Sequence, residues 1–271
     1  MMNDSKQNIR HQDREHAIVS PSSLKRILAC PTSLKANEGI NKAGKAAAQG
    51  TLAHEVAEYF VKKCFGIEPS IDIKDIKNKT TWMLDCGSRY MAFASMIKQN
   101  MESTSKTPVK VKVEERVSCE ELIPECWGTC DAMFIGRDRL AILDYKFGQI
   151  EVKAEDNAQL KAYALGAFLS LTEKQKQNIH TIETYIFQPN IGEKDPTTRQ
   201  PVGSYDMAKY TPQDLIDWAV AAKPIVEDAL NGTDKAKAGD HCMFCAAKGS
   251  CHTRNAEPDM HAEWGNDGFG K

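Results

Sequence analysis

The chain has 271 residues, of which 41% are hydrophobic and 27% are charged, so it is long and apolar enough to bury a core of its own. With 35 basic and 37 acidic residues the formal net charge is −2, and overall charge therefore does not indicate a nucleic-acid-binding protein. The polar N-terminal stretch predicts neither a secretory signal nor a membrane span, which favours a cytoplasmic protein whose nine cysteines stay reduced.

The first part of the chain is predicted to be helical. Residues 1–19 are polar and expected to be flexible. Ser20 followed by Pro21 is typical of a helix N-cap and first position, and opens a predicted helix to about Lys35. Two further helices are predicted, at residues 43–65 and 81–100.

Next, the segment VKVKVEERV alternates apolar and charged residues, which predicts a half-buried strand over about 108–117. Glu115 has the same parity as the valines of the inward face. An acid on a buried face is costly unless it is paired or near a metal, so Glu115 is a candidate catalytic carboxylate. A solvated glutamate at the strand end is the alternative. The inward-facing residues are predicted to be Val109, Val111, Val113 and Val117.

Two strands at 127–136 and 139–146 are predicted to form a hairpin with GRDR as its turn. On the second strand, the period of two places Asp144 and Lys146 on one face. Phosphodiester hydrolysis requires a divalent cation and a positive charge near the developing negative charge, and hard cations prefer carboxylate oxygens. Asp131 and Asp144 are therefore the predicted ligands, and Lys146 is the predicted fixed cation.

The hairpin precedes a predicted helix over 154–171, on which Gln159 and Tyr163 lie four residues apart on one face, within reach of a phosphate or base. Strands are predicted at 181–188 and 203–209, and a capping box at Thr211 opens a last helix to about Leu230. These elements predict an α/β fold with a central mixed β-sheet flanked by helices.

Near the C-terminus, HCMFCAAKGSC contains Cys242, Cys245 and Cys251. Three closely spaced thiols suit either a tetrahedral zinc ion or an iron–sulfur cluster, and each needs a fourth ligand. His241 or His252 could complete a zinc site. The cysteines at 64, 86, 119, 126 and 130 are predicted to be small buried or half-buried side chains.

Taken together, the motifs GTCD, DYKFG and QLKAY resemble the ordered motifs of the PD-(D/E)XK nuclease superfamily, and specifically of its RecB-like branch. The matching residues are Gly128, Asp131, Asp144, Lys146, Gln159 and Tyr163. The segment QGTLAHEVAEYF is similar to the helical motif in which that branch carries a metal-binding histidine, which maps onto His54. The resemblance runs from about residue 20 to 255, and its one departure is Asp144 at a position that is more often glutamate.

The resemblance implies a restriction-endonuclease-like core within a nuclease domain at 20–255, followed by a tail at 256–271. It implies that Mg²⁺ or Mn²⁺ is held by His54, Asp131, Asp144 and the main-chain carbonyl of Tyr145. Lys146 would orient the attacking water or stabilise the transition state, while Gln159 and Tyr163 would position the DNA backbone.

The resemblance also bears on the cysteines, because Cys30 is similar to the distant first ligand of the iron–sulfur members of this branch. It implies a helical N-terminal part tied to the C-terminal end by a [4Fe-4S] cluster on Cys30, Cys242, Cys245 and Cys251, with Zn²⁺ as the alternative.

The expected function is a metal-dependent DNA nuclease in a bacterial or phage-infected cell. An exonuclease acting on DNA ends is favoured, in phage recombination or DNA processing, with a recombination or annealing protein as a candidate partner and no role for a membrane. Two alternatives are a non-catalytic DNA-binding or assembly subunit with the same fold and a zinc-stabilised structural protein.

Overall fold

The protein is built around one five-stranded mixed sheet, seen in a computed structural model that describes residues 17–40 and 45–256. Most of the predicted flexible segment at 1–19, and the predicted tail from 257 onward, lie outside the described residues. The strands are β1 (Lys110–Ser118), β2 (Trp127–Ile135), β3 (Arg139–Tyr145), β4 (Thr181–Gln188) and β5 (Ser204–Tyr210). The helices are α1 (Pro21–Ala29), α2 (Ser33–Ala36), α3 (Lys45–Cys64), α4 (Thr81–Ser105), α5 (Ala158–Leu169), α6 (Glu173–Lys176), α7 (Pro212–Asn231) and α8 (His252–Asn255).

The strands lie in the sheet in the order in which they occur along the chain. β1, β2 and β3 pair antiparallel, β3 and β4 pair parallel, and β4 and β5 pair antiparallel. A parallel pair needs a long crossover, which α5 and α6 supply between β3 and β4. The turn after β2 is closed by the Gly136 N–H, which donates to the Arg139 carbonyl at 3.0 Å. The predicted α/β fold with a mixed sheet is confirmed.

Helices cover both faces of the sheet, so there are two apolar cores. α3 and α4 pack on one face, against Ala141, Leu143 and Tyr145 of β3. α1, α5 and α7 lie on the other face, where Leu140 and Ile142 of the same strand are buried. A strand buried on both faces has a continuous apolar run, which is why β3 has the sequence LAIL between Arg139 and Asp144.

Local sequence signals set several helix ends. The capping box at Thr211 is formed in both directions with Asp214, and Asn157 caps α5 by accepting from the backbone N–H groups of Gln159 and Leu160. The helix predicted from Pro21 to Lys35 is instead two helices. Cys30 stands between them in a non-helical conformation, because the residue before a proline is disfavoured in the α region.

Strand β1 changes the face that it buries at Glu114. Val109, Val111 and Val113 pack in the core under α3 and α4, whereas Val117 packs in the opposite core. Glu114 has a φ of 53°, a left-handed value that interrupts the alternation of side chains along the strand. The prediction that Val117 shares a face with the other three valines is therefore wrong, and with it the parity argument for Glu115.

Among the residues that the structure describes, no helix combines the length and apolar character needed to cross a lipid bilayer.

Gly166 on α5 tests how closely this helix packs on β1. A Cβ atom at this position would meet the Ser118 backbone and Val117 Cβ at 3.1 Å, so Gly166→Ala is expected to lower the free energy of unfolding by about 1–3 kcal/mol. Gly50 on α3 is the matched control, since a Cβ there meets nothing within 4 Å, and Gly50→Ala should raise it by about 0.5–1 kcal/mol. Urea denaturation of both variants measures the difference, and equal stabilities would contradict the close packing.

Candidate active site

Two aspartates lie side by side where β2 and β3 separate. The last residues paired between these strands are Ala132 and Leu143, and the next residue on each strand is Asp131 and Asp144. Asp131 bridges the gap, because its Oδ2 accepts a hydrogen bond of 2.7 Å from the backbone N–H of Tyr145. The two carboxylates therefore lie next to each other at the point where β2 and β3 stop pairing.

Asp144 belongs to a connected polar set with the lysine two residues further on. Its Oδ2 lies 2.9 Å from Lys146 Nζ, and Lys146 Nζ donates to Gln159 Oε1 at 2.9 Å. The amide of Gln159 also donates through Nε2 to Asp144 Oδ1 and to the Tyr163 hydroxyl, each at 3.3 Å. Gln159 on α5 thus forms hydrogen bonds with Asp144, Lys146 and Tyr163.

Gly128 allows the tyrosine of this set to approach the sheet. A Cβ atom at Gly128 would lie 3.2 Å from Tyr163 Cε1 and 2.9 Å from Pro21 Cδ. The glycine of the GTCD motif therefore makes room for both α1 and the Tyr163 ring.

His54 approaches the aspartates from the opposite side of the sheet, on α3. Its Nδ1 lies 3.6 Å from Asp131 Oδ2, and its ring packs edge-on against Tyr145 with centroids 5.2 Å apart. The predicted residues His54, Asp131, Asp144, Lys146, Gln159 and Tyr163 are thus brought together from four separate elements. On the same helix, Glu58 pairs with Lys62 at 2.6 Å.

The electrostatics of the site combine burial with like charges. Burial raises the pKa of Asp131, and the neighbouring Asp144 raises it further, against the opposing effects of His54 and Lys146. Burial acts to lower the pKa of Lys146, but the attraction of Asp144 and Asp131 outweighs it and the pKa is raised. Lys146 is therefore cationic at neutral pH. Burial raises the pKa of Tyr163 as well, so its hydroxyl is neutral and can donate a hydrogen bond.

The donor set fits a hard divalent cation in its chemistry. Asp144 is only 2% exposed, and its Oδ2 accepts no well-directed hydrogen bond even though Lys146 lies 2.9 Å away. A buried carboxylate oxygen with spare acceptor capacity is what Mg²⁺ or Mn²⁺ requires. Within residues 17–40 and 45–256, however, no three His, Cys, Asp or Glu side chains form a ready-made metal site as they stand.

The two adjacent glutamates on β1, Glu114 and Glu115, have different surroundings. Glu115 is 38% exposed in its side chain, pairs with Lys112, and none of its described contacts reaches Asp131 or Asp144. Burial raises the pKa of Glu114 to about 8, with further contributions from Asp131 and Glu58. The sequence does not predict the burial of Glu114, because its only signal is that two acids stand together. No residue type at this position predicts a left-handed backbone.

The four cysteines predicted to share a cluster come together at the junction of the two ends of the described chain. Cys30, Cys242 and Cys245 are buried and Cys251 is partly exposed. Burial raises the pKa of Cys242, and the charges of Cys245, Cys30 and Cys251 raise it further. Hydrogen-bond donors face two of the sulfurs: the backbone N–H of Lys237 lies 3.5 Å from Cys30 Sγ and the Asn37 amide 3.2 Å from Cys245 Sγ.

The remaining cysteines and the two candidate zinc-binding histidines differ in exposure. His241 contacts the Lys237 carbonyl through Nε2 at 2.9 Å, while His252 is exposed. Cys64 is exposed at the end of α3, contrary to the prediction. The other four, at 86, 119, 126 and 130, are buried as predicted.

Comparisons with known proteins give a family and distant likenesses. The profile of a family described as "Protein of unknown function (DUF2800)" matches residues 16–265. Three solved structures are similar. A protein of Eubacterium rectale provisionally named an exonuclease is 11% identical, covering 90% of this chain and 93% of its own, with a TM-score of 0.45. The protein SSO0001 is 10% identical, covering 89% of each chain, with a TM-score of 0.43. A phage-related exonuclease of Haemophilus somnus 129PT is 18% identical, covering 79% of this chain and 95% of its own, with a TM-score of 0.25. Likenesses at this level do not transfer an activity.

The raised pKa values of Glu114 and Asp131 predict how stability depends on pH when no cation is present. Between the ordinary value of 4.5 and the folded value of about 8, the folded state holds a proton on Glu114 that the unfolded state has lost. The free energy of unfolding should therefore fall as the pH rises through this window, in buffer containing EDTA. Glu114→Gln should make the decline shallower and Glu115→Gln should leave it unchanged, as measured by urea titrations across the window. Identical slopes in wild type and Glu114→Gln would contradict the burial of that carboxyl.

Proposed function

This chain belongs to the DUF2800 family, and we propose that it is a metal-dependent nuclease that cleaves DNA, with an exonuclease acting on DNA ends as the favoured form. The observation that carries the proposal is the contact of Asp144 with Lys146 at 2.9 Å, beside Asp131 and within reach of His54. Carboxylates and a permanently charged lysine at one sheet edge are the groups that phosphodiester hydrolysis requires.

The cation would be held by His54, Asp131, Asp144 and the Tyr145 carbonyl, and when bound it would neutralise phosphate charge and make a water acidic enough to attack. Asp131 is suited to this role because one of its oxygens is already fixed by the Tyr145 N–H. The carboxylate therefore enters the site oriented, and little conformational entropy is lost on binding.

Lys146 would act on the transition state. Its charge is secured by Asp144 and Asp131, and its Nζ is held in place by Gln159 Oε1. A preoriented cation in a partly buried site stabilises developing negative charge on phosphate oxygens without having to reorganise. Lys146 therefore contributes to the rate more than to the binding of substrate.

Gln159 and Tyr163 take different roles in this proposal. The Gln159 amide is already engaged with Asp144, Lys146 and Tyr163, so it acts as a positioning residue for those groups. The Tyr163 hydroxyl accepts from Gln159 and keeps its own proton, which it can donate to a phosphate oxygen of the DNA backbone.

We further propose that Cys30, Cys242, Cys245 and Cys251 hold a [4Fe-4S] cluster, with Zn²⁺ as the alternative metal. Four thiols of which three are buried fit either metal, and the N–H donors of Lys237 and Asn37 are the kind of groups that tune cluster sulfurs. The cluster would be structural, because it joins the loop after α1 to the segment after α7.

A non-catalytic DNA-binding subunit is the second candidate. One observation favours it: among the described side chains no three acidic, histidine or cysteine groups form a ready-made metal site. The two candidates differ in whether the purified protein binds Mn²⁺ and cuts DNA.

The nuclease proposal predicts that Asp144→Asn and Lys146→Ala fail in different ways. Asp144→Asn should lose both Mn²⁺ binding and cleavage, because a ligand oxygen is replaced by an amide nitrogen. Lys146→Ala should still bind Mn²⁺ but cleave about 10²–10³-fold more slowly, since it removes one group that stabilises the transition state. Calorimetry with Mn²⁺ and assays on end-labelled linear and circular DNA, with EDTA as the blank, measure both effects.

The control for this series is Asp138→Asn, an exposed acid in the turn at the far end of the same hairpin, which should behave as wild type. Cleavage by Asp144→Asn at the wild-type rate would refute the site. Mn²⁺ binding without any cleavage by wild-type protein would favour the non-catalytic subunit.

The cluster proposal predicts that Cys30→Ser lowers the melting temperature as much as Cys245→Ser does, because either change removes one of the four ligands. The wild-type protein should contain iron, and absorb broadly near roughly 400 nm, when it is purified without oxygen. Cys64→Ser is the matched control, since that thiol is exposed and far along α3. Stoichiometric zinc with an unaffected Cys30→Ser variant would move the fourth ligand to His241 or His252.

A further inference from the structure

The connection between β3 and α5 joins two residues of the candidate site. Lys146 stands at its start and Gln159 lies in the first turn of α5, and their side chains meet at 2.9 Å. Among the described residues, positions 147–153 form no hydrogen bonds between backbone groups. Side chains from neighbouring elements therefore determine the conformation of this connection.

Gln188, the last residue of β4, holds the middle of the connection. Its Oε1 accepts a hydrogen bond of 2.8 Å from the Val152 N–H, and its Nε2 donates to the Ile150 carbonyl at 2.9 Å. The residue is only 2% exposed. A buried amide without partners would be costly, so the connection and the Gln188 amide fix each other.

The strand that carries Gln188 also fixes the backbone of Lys146. β3 and β4 pair parallel, with Tyr145 opposite Phe187, and the Lys146 N–H donates to the Phe187 carbonyl at 2.9 Å. Gln188 is the next residue on β4. One short stretch of this strand thus holds both the start and the middle of the connection.

Two other side chains contact the connection, each through a single bond to it. Asn190 donates to the Phe147 carbonyl, and Asp206 Oδ2 accepts from the Ala154 N–H at 2.9 Å. Gln188 differs from them because it is buried and both of its hydrogen bonds go to the connection.

We propose that Gln188 is a positioning residue of the candidate site, which sets the contact of Lys146 with Gln159 by fixing Ile150 and Val152. The inference rests on the proposed function, because its readout is the cleavage of DNA. Gln188 acts indirectly, since its hydrogen bonds go to the connection and not to the aspartates or the lysine.

The first test replaces Gln188 by methionine, which fills a similar volume but lacks both hydrogen-bonding groups. Loss of the two bonds frees the connection, and Lys146 and Gln159 then lose their fixed relative position. The kcat for end-labelled linear DNA should fall by about 10–100-fold, because small misplacements of catalytic groups are costly. KM should stay at the wild-type value, since Lys146 contributes to the rate more than to binding.

Glu183→Gln is the matched control for lost stability. Glu183 lies on the same strand, is 3% exposed and pairs with Arg139 at 3.5 Å and Lys209 at 3.2 Å, away from the connection. It should melt at a lower temperature in EDTA and keep the wild-type kcat. An equal loss of kcat in both variants would assign the effect of Gln188→Met to stability and overturn the inference.

A double variant separates positioning from a merely structural role. If Gln188 acts through Gln159, then Gln188→Met combined with Gln159→Ala should cleave at the rate of Gln159→Ala alone. Losses that multiply would show two independent effects and overturn the inference. A wild-type kcat in Gln188→Met, alongside slow cleavage by Lys146→Ala, would overturn it and leave the proposed function standing. Absence of cleavage by wild-type protein would refute both.

Hydrogen exchange in the wild-type chain tests the same contact without any variant. The Val152 N–H is bonded to buried Gln188, so it should exchange more slowly than the N–H of Glu151 beside it. Exchange of the two amides at equal rates, measured by nuclear magnetic resonance, would contradict the proposed role of Gln188.

Discussion

The burial of two carboxylates at the point where β2 and β3 separate is the constraint on which the rest of the site depends. Asp131 and Asp144 repel each other, and neither can be solvated fully at the edge of a sheet that is covered on both faces. Three groups stabilise these carboxylates. They are Lys146 just after β3, the backbone N–H of Tyr145, and Gln159 on the crossover helix α5. Interactions with the two aspartates hold each of these groups in place, and together they determine the shape of the site.

The placement of the main motif residues followed from local periodicity. Asp144 and Lys146 share a face because a strand repeats every two residues, and Gln159 and Tyr163 share one because a helix repeats every 3.6 residues. The contacts of Gln159 with Asp144 and Lys146 join these two elements, and neither period predicts them. The mixed sheet and its strand limits were likewise predictable from apolar alternation and turn residues.

What could not be predicted depends on backbone departures from those periods. Glu114 adopts a left-handed conformation that only tertiary packing imposes, and the resulting reversal of faces removes the parity argument for Glu115. Pro31 predicts the break between α1 and α2, because the residue before a proline disfavours the helical conformation. The prediction of a single helix from Pro21 to Lys35 is wrong at this point. Cation affinity depends on distances between side chains that no residue pattern determines.

The two-core architecture has a consequence for how the site responds to disturbance. His54 stands on a helix of one layer and Gln159 on a helix of the other, with the aspartates on the sheet between them. This arrangement of side chains therefore exists only while both layers are docked, and a partial opening of either one disrupts it before the chain unfolds globally. Destabilising changes deep in either core, remote from any acid, would reduce the fraction of molecules with an assembled site. The integrity of this candidate site would thus depend on the cooperativity of the whole fold, and on heating it would be lost before the secondary structure.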